Sequence, residues 1–273
     1  MPHRRRIGLT VFFAVAFAVP WFGWTLIDNA ALSLWLFPLC VSAAGFAAAW
    51  AEGGRTGLGE FCRRTCRVRG AMRWTLLAAL IAPALGLAYL LATGTSLAAL
   101  RPAYEAGLAT TLAAAVVTGP LAEEFGWRGY LQHRLLDRLS PLATALCIGA
   151  VWSLWHVPLF GEAVFGSVAS SLRYLGYLSV WSVFMVYLVR RGGGSVWPAV
   201  AFHWAANVHA DLLAALLPSV DGSLLPGGSK GLGLYLLLAA LFVALRWRFF
   251  AGRGAATQPA ECAPLAATAA AER

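Results

Sequence analysis

Eight long apolar stretches divide the chain, and each has enough residues to cross the roughly 30 Å hydrocarbon core of a bilayer as an α-helix. They cover residues 7–27, 31–51, 74–94, 107–127, 141–160, 172–190, 195–217 and 231–249. Hydrophobic residues make up 60% of the chain, whereas charged residues make up 12%, about half the share of a soluble globular domain. Since so few charged side chains cannot cover a soluble surface, the sequence predicts an all-α, polytopic bundle of about eight transmembrane helices.

Every second connection between these stretches is rich in arginine. The arginines lie at the amino terminus and after spans two, four, six and eight, namely Arg4, Arg5, Arg6, Arg55, Arg63, Arg64, Arg67, Arg69, Arg128, Arg134, Arg138, Arg190, Arg191, Arg246, Arg248 and Arg253. The alternate connections, which have few cations, lie around Asp28, Glu105, Glu162 and Asp221. The positive-inside rule therefore predicts that both termini are cytoplasmic, in a protein of the cell membrane. Although the net charge is +9, the cations do not form one face or stripe, so the expected partner is the lipid bilayer and not a nucleic acid.

A single polytopic domain is expected over residues 1–253. Residues 254–273 are rich in alanine and proline and contain no aromatic residue, which predicts a disordered cytoplasmic tail. The first apolar stretch follows a basic amino terminus, as the apolar part of a secretory signal does. It is too long for such a signal and is followed by a second span, so it is interpreted as a transmembrane helix.

Three ionisable residues interrupt the apolar sequence at the end of span four: Glu123, Glu124 and Arg128. Charged groups at bilayer depth cost at least a few kcal/mol each, so they usually face a protein interior or a water-filled cavity and mark a functional site. Glu124 and Arg128 are four residues apart and share a helix face, which predicts an ion pair. Glu123 is turned about 100° from Glu124 and is expected to face a different partner. The alternatives are a purely structural ion pair and a second interfacial acid that reaches toward water.

Two further spans carry polar side chains. His156 lies in span five, directly before Val157 and Pro158, where the helix is expected to end or kink. His203 and Asn207 lie in span seven, four residues apart, and are expected to point together into one intramembrane cavity. Each has a structural alternative, because a lone histidine can be a packed polar residue and a His/Asn pair can form hydrogen bonds between helices.

A buried carboxylate, two histidines and an amide are together suited to hydrolysing a peptide bond. A desolvated glutamate can act as a general base toward water, and a histidine can position that water or shuttle its proton. A His/Asn pair can donate hydrogen bonds to a developing oxyanion. The His-Glu-x-x-His motif of zinc proteases is absent from the sequence.

Three short motifs on separate spans carry these residues: Glu-Glu-x-x-x-Arg at 123–128, Trp-x-x-x-His at 152–156 and His-x-x-x-Asn at 203–207. In type, order and spacing they resemble the CPBP family of intramembrane proteases, which includes type II CAAX prenyl proteases and bacteriocin-processing proteins. The second family motif has phenylalanine where this chain has tryptophan, a difference expected to affect only local packing. The resemblance covers about residues 107–217.

The resemblance implies a catalytic role for four residues. Glu123 would be the general base, and His156 would help to position the attacking water. His203 and Asn207 would stabilise the oxyanion.

The resemblance also implies that Glu124 and Arg128 support the site. No cofactor is expected on this mechanism. The alternative is a zinc ion held by two histidines and one carboxylate, namely Glu124, His156 and His203.

The predicted function is therefore an intramembrane endopeptidase that acts on a membrane-associated peptide or protein, such as a CAAX-type or bacteriocin-type substrate, near the cytoplasmic face. One alternative is a non-proteolytic membrane scaffold or regulator with the same fold. The other is a transporter that uses the buried acids and histidines as a proton relay.

The depths of Glu123 and His156 conflict if both helices are straight and end at the predicted limits. Glu123 would lie near the cytoplasmic end of span four, whereas His156 would lie roughly 22 Å along span five from that end. We therefore expect the fourth helix to continue beyond the predicted span to about Leu139, with the cavity open to the cytoplasm.

Overall fold

The computed structural model describes residues 2–27, 30–92, 94, 114–216 and 229–252, and the described residues form helices α1 to α10 with no strand among them. Helix α1 comprises the consecutive segments Pro2–Phe13, Ala14–Ala18 and Val19–Leu26, α2 is Ala30–Thr65 and α3 is Met72–Ala92. Helix α4 comprises Val117–Leu121, Ala122–Glu124, Phe125–Leu131 and Gln132–Leu136, α5 is Pro141–Trp155 and α6 is Val157–Phe165. Helix α7 is Val168–Arg191, α8 is Trp197–Leu216, α9 is Ser229–Leu245 and α10 is Trp247–Ala251.

Several described helices have the length and composition of membrane spans. Three qualify individually: His3–Trp24, Leu36–Thr65 and Val168–Arg191. Helices α5 and α6 qualify together but are bent by 90° where they meet, and α3 and α9 contain shorter apolar segments. The protein is therefore an all-α, polytopic membrane bundle, while the number of eight crossings stays a prediction. The first residues of predicted span four, 107–113, and the predicted tail, 254–273, lie outside the described residues.

The prediction of a basic loop directly after residue 51 was wrong. Helix α2 continues to Thr65, with a break at Gly54, whose backbone has φ 57° and ψ −143°. Only glycine adopts this conformation without a steric penalty, so the chain bends at Gly54 and then resumes its helical course. Arg63 and Arg64 consequently lie on the last turn of α2.

Span five is broken at the position that its sequence predicted. Helix α5 ends at Trp155, His156 forms the turn, and Pro158 lies in the first turn of α6, where its missing N–H leaves no hydrogen bond unmade. The resulting 90° bend places His156 at a corner of the chain and not in the middle of a straight helix.

Helix α4 continues past the predicted end of span four to Leu136, which confirms the expected extension although the helix ends slightly before Leu139. Wide π-helical turns cover Val117–Leu121 and Phe125–Leu131. Such turns are rare and occur frequently at functional sites. They flank the short segment that contains Glu123 and Glu124.

Helices α2 and α4 cross with their backbones in contact. A Cβ atom added to Gly45 of α2 would lie 2.9 Å from the carbonyl oxygen of Phe125, and one added to Gly126 of α4 would overlap the carbonyl group of Val41. Close approach at small residues is the usual way in which membrane helices gain packing energy, since lipid supplies no hydrophobic driving force between them. The crossing fixes the position of α4 at Phe125 and Gly126, directly after the two glutamates.

A network of charged residues ties three helices together beyond this crossing. Arg5 of α1 pairs with Asp137, which follows α4, at 2.9 Å. Arg134 of α4 pairs with Glu52 of α2, and Glu52 also accepts a hydrogen bond of 2.5 Å from the Tyr130 hydroxyl. The amino terminus and the arginine-rich segments after spans two and four therefore meet at one end of the bundle.

The two remaining arginine-rich segments lie at the same end. The backbone N–H of Val196, between α7 and α8, donates to the carbonyl oxygen of Thr65 at the end of α2 (3.0 Å). Arg190, at the end of α7, lies 5.6 Å from the ring centre of Phe249 in α10. This common location is what the alternating charge pattern predicts for a chain with an even number of crossings.

The substitution Gly126→Ala should destabilise the bundle by about 1–3 kcal/mol, because the new methyl group meets backbone atoms that cannot rotate away. The matched control is Gly59→Ala on α2, where an added Cβ has no described atom within 4 Å and alanine favours the helix. Thermal unfolding of the purified protein in detergent measures both. Equal midpoints for Gly126→Ala and the wild type would contradict the backbone contact between α2 and α4.

Candidate active site

Glu123 is held by two tryptophan side chains. Its side chain is buried, and its Oε2 atom accepts hydrogen bonds from the indole N–H groups of Trp127 (3.1 Å) and Trp152 (2.6 Å). Trp127 follows on the same helix, four residues later, whereas Trp152 reaches across from α5. These N–H groups replace part of the hydration that the carboxylate loses on burial.

Glu124 has different partners from Glu123, namely His203 on α8 and Arg128 on α4. Its Oε1 atom accepts a hydrogen bond of 2.8 Å from the Nδ1–H of His203 on α8. Its Oε2 atom lies 3.5 Å from Nη1 of Arg128, so the ion pair predicted from their spacing is present. Nη2 of Arg128 donates in turn to the hydroxyl of Ser182 on α7 (3.1 Å). Glu124 and Arg128 thus connect α4 with α7 and α8 through charge-assisted hydrogen bonds.

The ring of Trp152 lies at the centre of these residues. The Arg128 guanidinium is 4.6 Å from its ring centre, a distance at which a cation is attracted to the face of an indole. The ring of His203 approaches edge-on with centroids 5.0 Å apart, and the ring of His156 lies 6.0 Å away. Glu123, Arg128, His156 and His203 therefore surround one aromatic side chain.

His156 is enclosed by aromatic rings and oriented by the backbone. Its Nδ1 atom lies 2.9 Å from the carbonyl oxygen of Trp152, and because a carbonyl oxygen can only accept, Nδ1 carries the proton. In the neutral ring the lone pair is then on Nε2. Trp155 packs edge-on at 4.8 Å, Phe160 stacks at 5.3 Å and Tyr174 packs edge-on at 5.5 Å.

His203 and Asn207 converge on Gly119 in the first π-helical turn of α4. A Cβ atom added to Gly119 would lie 3.4 Å from Nε2 of His203 and 3.5 Å from Nδ2 of Asn207. The two side chains therefore lie on the same face of α8, as their four-residue spacing predicts, and they point toward the helix that carries the glutamates. The absence of a side chain at Gly119 leaves space in front of both nitrogen atoms.

The residues of the alternative zinc set, Glu124, His156 and His203, are not grouped around one point in this arrangement. Glu124 is bonded directly to Nδ1 of His203, and Nδ1 of His156 is bonded to a backbone carbonyl. Within the part of the chain that the structure describes, no three histidine, cysteine or acidic side chains are grouped so that they could hold a metal ion.

The structure thus brings the candidate residues of α4, α5 and α8 together, and it adds three residues to which the sequence assigned no contact in the site. Trp127 and Trp152 hold Glu123, and Ser182 binds Arg128. Trp127 had a signal in the sequence, because it lies four residues after Glu123. Trp152 was expected to affect packing alone, and that prediction was incomplete, since its N–H donates to the carboxylate. Ser182 is one of several polar residues in α7, and nothing in the sequence distinguishes it from the others.

Comparisons with known proteins agree with this arrangement. Residues 105–209, which include the whole site, match the family model for type II CAAX prenyl endopeptidase Rce1-like proteins. A curated protein from Methanococcus maripaludis, CAAX prenyl protease 2, is 27% identical over 135 residues, and the alignment covers 47% of each chain. The chain thus spans about half the length of the curated relative that it matches. The comparisons therefore support assignment of the segment that carries the three motifs and the site to the CPBP family of CAAX proteases.

Proposed function

We propose that the protein is an intramembrane endopeptidase that uses Glu123 to activate water against a peptide bond of a membrane-associated peptide or protein. The observation that carries this proposal is the position of the Glu123 carboxylate. It is buried, fixed through Oε2 by two indole N–H groups, and on the same side of the bundle as His156, His203 and Asn207. The name of the archaeal relative favours prenylated CAAX peptides as the first substrates to test, with bacteriocin-type peptides as the second class.

The attack on the peptide bond begins at the second carboxylate oxygen. Within the described part of the chain, both hydrogen bonds to the carboxylate of Glu123 fall on Oε2, so Oε1 takes the proton from water. The water oxygen forms a bond to the carbonyl carbon at the same time. Nε2 of the neutral His156 ring accepts the second proton of this water in a hydrogen bond and thereby orients it.

The carbonyl oxygen gains negative charge as the water attacks. Nδ2 of Asn207 donates a hydrogen bond to it, and Nε2 of His203 donates a second when the ring carries both protons. The space in front of Gly119, at which both nitrogen atoms point, is where this oxygen would lie. The bond between carbon and nitrogen then breaks, and Glu123 passes its proton to the leaving amine.

Glu124 and Arg128 keep the oxyanion residues in place. The hydrogen bond between Glu124 and Nδ1 fixes the ring plane of His203, so that Nε2 points at the reacting carbonyl group. Arg128 balances the charge of Glu124 in surroundings where an unpaired carboxylate would be costly.

We infer that the site faces the cytoplasm through the end of the bundle where the arginine-rich segments meet. Anionic lipid headgroups of the inner leaflet attract such segments, which supports cytoplasmic termini in a cell-membrane protein. Substrates would then approach from the cytoplasmic side.

The substitution Glu123→Gln should lower cleavage by about 10²- to 10⁴-fold, because glutamine keeps the shape of the side chain but cannot accept the proton. Cleavage of quenched-fluorescent peptides, including farnesylated CAAX peptides, by protein reconstituted in vesicles measures the rate. Glu60→Gln, on the exposed surface of α2, is the matched control and should cleave at the wild-type rate. Undiminished cleavage by Glu123→Gln would refute the mechanism, and a folded wild-type protein that cleaves no peptide would favour a scaffold.

The substitution Asn207→Ala should lower kcat by about 10²- to 10³-fold with little change in KM, because the lost donor acts on charge that develops only in the transition state. The same peptide assay over a range of substrate concentrations separates the two constants. A rise in KM at constant kcat would instead assign Asn207 to substrate binding.

Treatment with a zinc chelator such as 1,10-phenanthroline should leave cleavage unchanged, because His203 and Arg128 engage the carboxylate of Glu124 and the proposed base, Glu123, acts without a metal. The non-chelating 1,7-phenanthroline controls for effects of the compound on the membrane. If 1,10-phenanthroline abolishes cleavage, 1,7-phenanthroline does not, and added zinc restores it, the reaction depends on a metal site.

A further inference from the structure

We propose that the indole N–H of Trp152 positions Glu123 for catalysis, so that this tryptophan is a positioning residue and not only part of the aromatic packing. The proposal rests on the proposed function, in which Glu123 is the general base. It concerns a position where the chain departs from the family pattern, since phenylalanine in the second motif has no N–H to donate.

The hydrogen bond from Trp152 is the shorter of the two that Glu123 accepts. The distance from Nε1 to Oε2 is 2.6 Å for Trp152 and 3.1 Å for Trp127. Hydrogen bonds between N–H groups and ionised carboxylates are shorter and stronger than those between neutral groups. Trp152 is also almost completely buried, so water does not compete for its N–H.

The two donors select which oxygen of Glu123 reacts. The terminal torsion of a glutamate has broad, two-fold preferences, so a carboxylate without fixed partners rotates. Each carboxylate oxygen has about two acceptor sites, and Oε2 uses both of them for Trp127 and Trp152. Oε1 is then left to take a proton from water. Without Trp152, the one donor to Glu123 left among the described residues would be Trp127 of the same helix.

The indole of Trp152 also connects the base to the other reacting groups. The ring packs against His203 and lies under the guanidinium of Arg128. The backbone carbonyl oxygen of Trp152 accepts a hydrogen bond from Nδ1 of His156. A phenylalanine at this position would keep the carbonyl contact and part of the ring packing. The indole N–H is the group that Trp152→Phe removes completely.

The experiment compares three forms at position 152: tryptophan, phenylalanine and 3-benzothienylalanine, an amino acid that keeps the indole shape but has sulfur in place of the N–H. We expect kcat to fall by about 10- to 100-fold in both altered forms, with KM unchanged, which corresponds to one hydrogen bond to a charged group. Trp197→Phe is the matched control, because its indole N–H donates to the carbonyl oxygen of Cys66 (3.2 Å), away from the glutamates. It should keep the wild-type kcat.

Two kinetic outcomes would overturn the proposal. A wild-type kcat in the benzothienyl form, together with a low kcat in Trp152→Phe, would assign the effect to ring size. A wild-type kcat in both forms would show that the hydrogen bond is not needed. Either result, with Glu123→Gln inactive, leaves the proposed function intact, whereas full activity of Glu123→Gln removes the proposed function itself.

A second measurement tests the hydrogen bond without any substrate. In protein labelled with ¹⁵N-tryptophan, the indole resonance that disappears in Trp152→Phe belongs to Trp152. A short bond to a carboxylate should place its proton at low field and should shift it upfield in Glu123→Gln. A resonance that does not respond to Glu123→Gln would overturn the proposal, whether or not a substrate has been found.

Discussion

The central constraint on this structure is the burial of two carboxylates and a guanidinium in a bundle that is otherwise apolar. Glu123, Glu124 and Arg128 are each no more than 4% exposed, and an isolated charge in such surroundings costs several kcal/mol. The bundle meets this cost by giving each charge partners from different helices. Glu123 receives indole N–H groups, while Glu124 and Arg128 bind each other, His203 and Ser182. The relative rotation of α4, α5, α7 and α8 is thereby set by hydrogen bonds as well as by packing.

Helix α4 can satisfy these bonds because its backbone is pressed against α2. At Gly45 and Gly126 no side chain separates the two helices, so their backbones touch. Toward the carboxyl end of α4, Glu52 of α2 binds Tyr130 and Arg134. π-helical turns lie on both sides of the glutamates, and in the first of them Gly119 has no side chain, which leaves room for those of His203 and Asn207. Glycines of α2 and α4 thus serve both the helix crossing, at Gly45 and Gly126, and the candidate site, at Gly119.

Much of this arrangement could be predicted from the sequence. Helix positions followed from the length of the apolar stretches, and spacings of four residues correctly placed Glu124 beside Arg128 and His203 beside Asn207. The break at His156 followed from the proline two residues later.

The features that escaped prediction depend on contacts between helices that are distant in sequence. The direction of the Trp152 N–H is set by how α5 is rotated against α4, and no period within either helix contains that information. Ser182 is one of several polar residues in α7, and only its distance to Arg128 distinguishes it. The continuation of α2 beyond Gly54 was missed because charged residues after an apolar stretch indicate where the membrane ends but not where the helix ends.

The apparent conflict between the depths of Glu123 and His156 is resolved by the geometry of α4 and α5. The two helices leave the same short turn, at residues 137–140, and meet again where Trp152 donates to Glu123. Glu123 lies thirteen residues before Leu136, and Trp152 lies eleven residues after Pro141. At the rise of an α-helix, these two helix segments are roughly 20 Å and 17 Å long. Residues at similar distances from the turn can meet, which is why the indole reaches the carboxylate. The first helical turn beyond Trp152 then brings His156 to the same level, and the sharp bend that follows stops α5 from carrying the chain past the site.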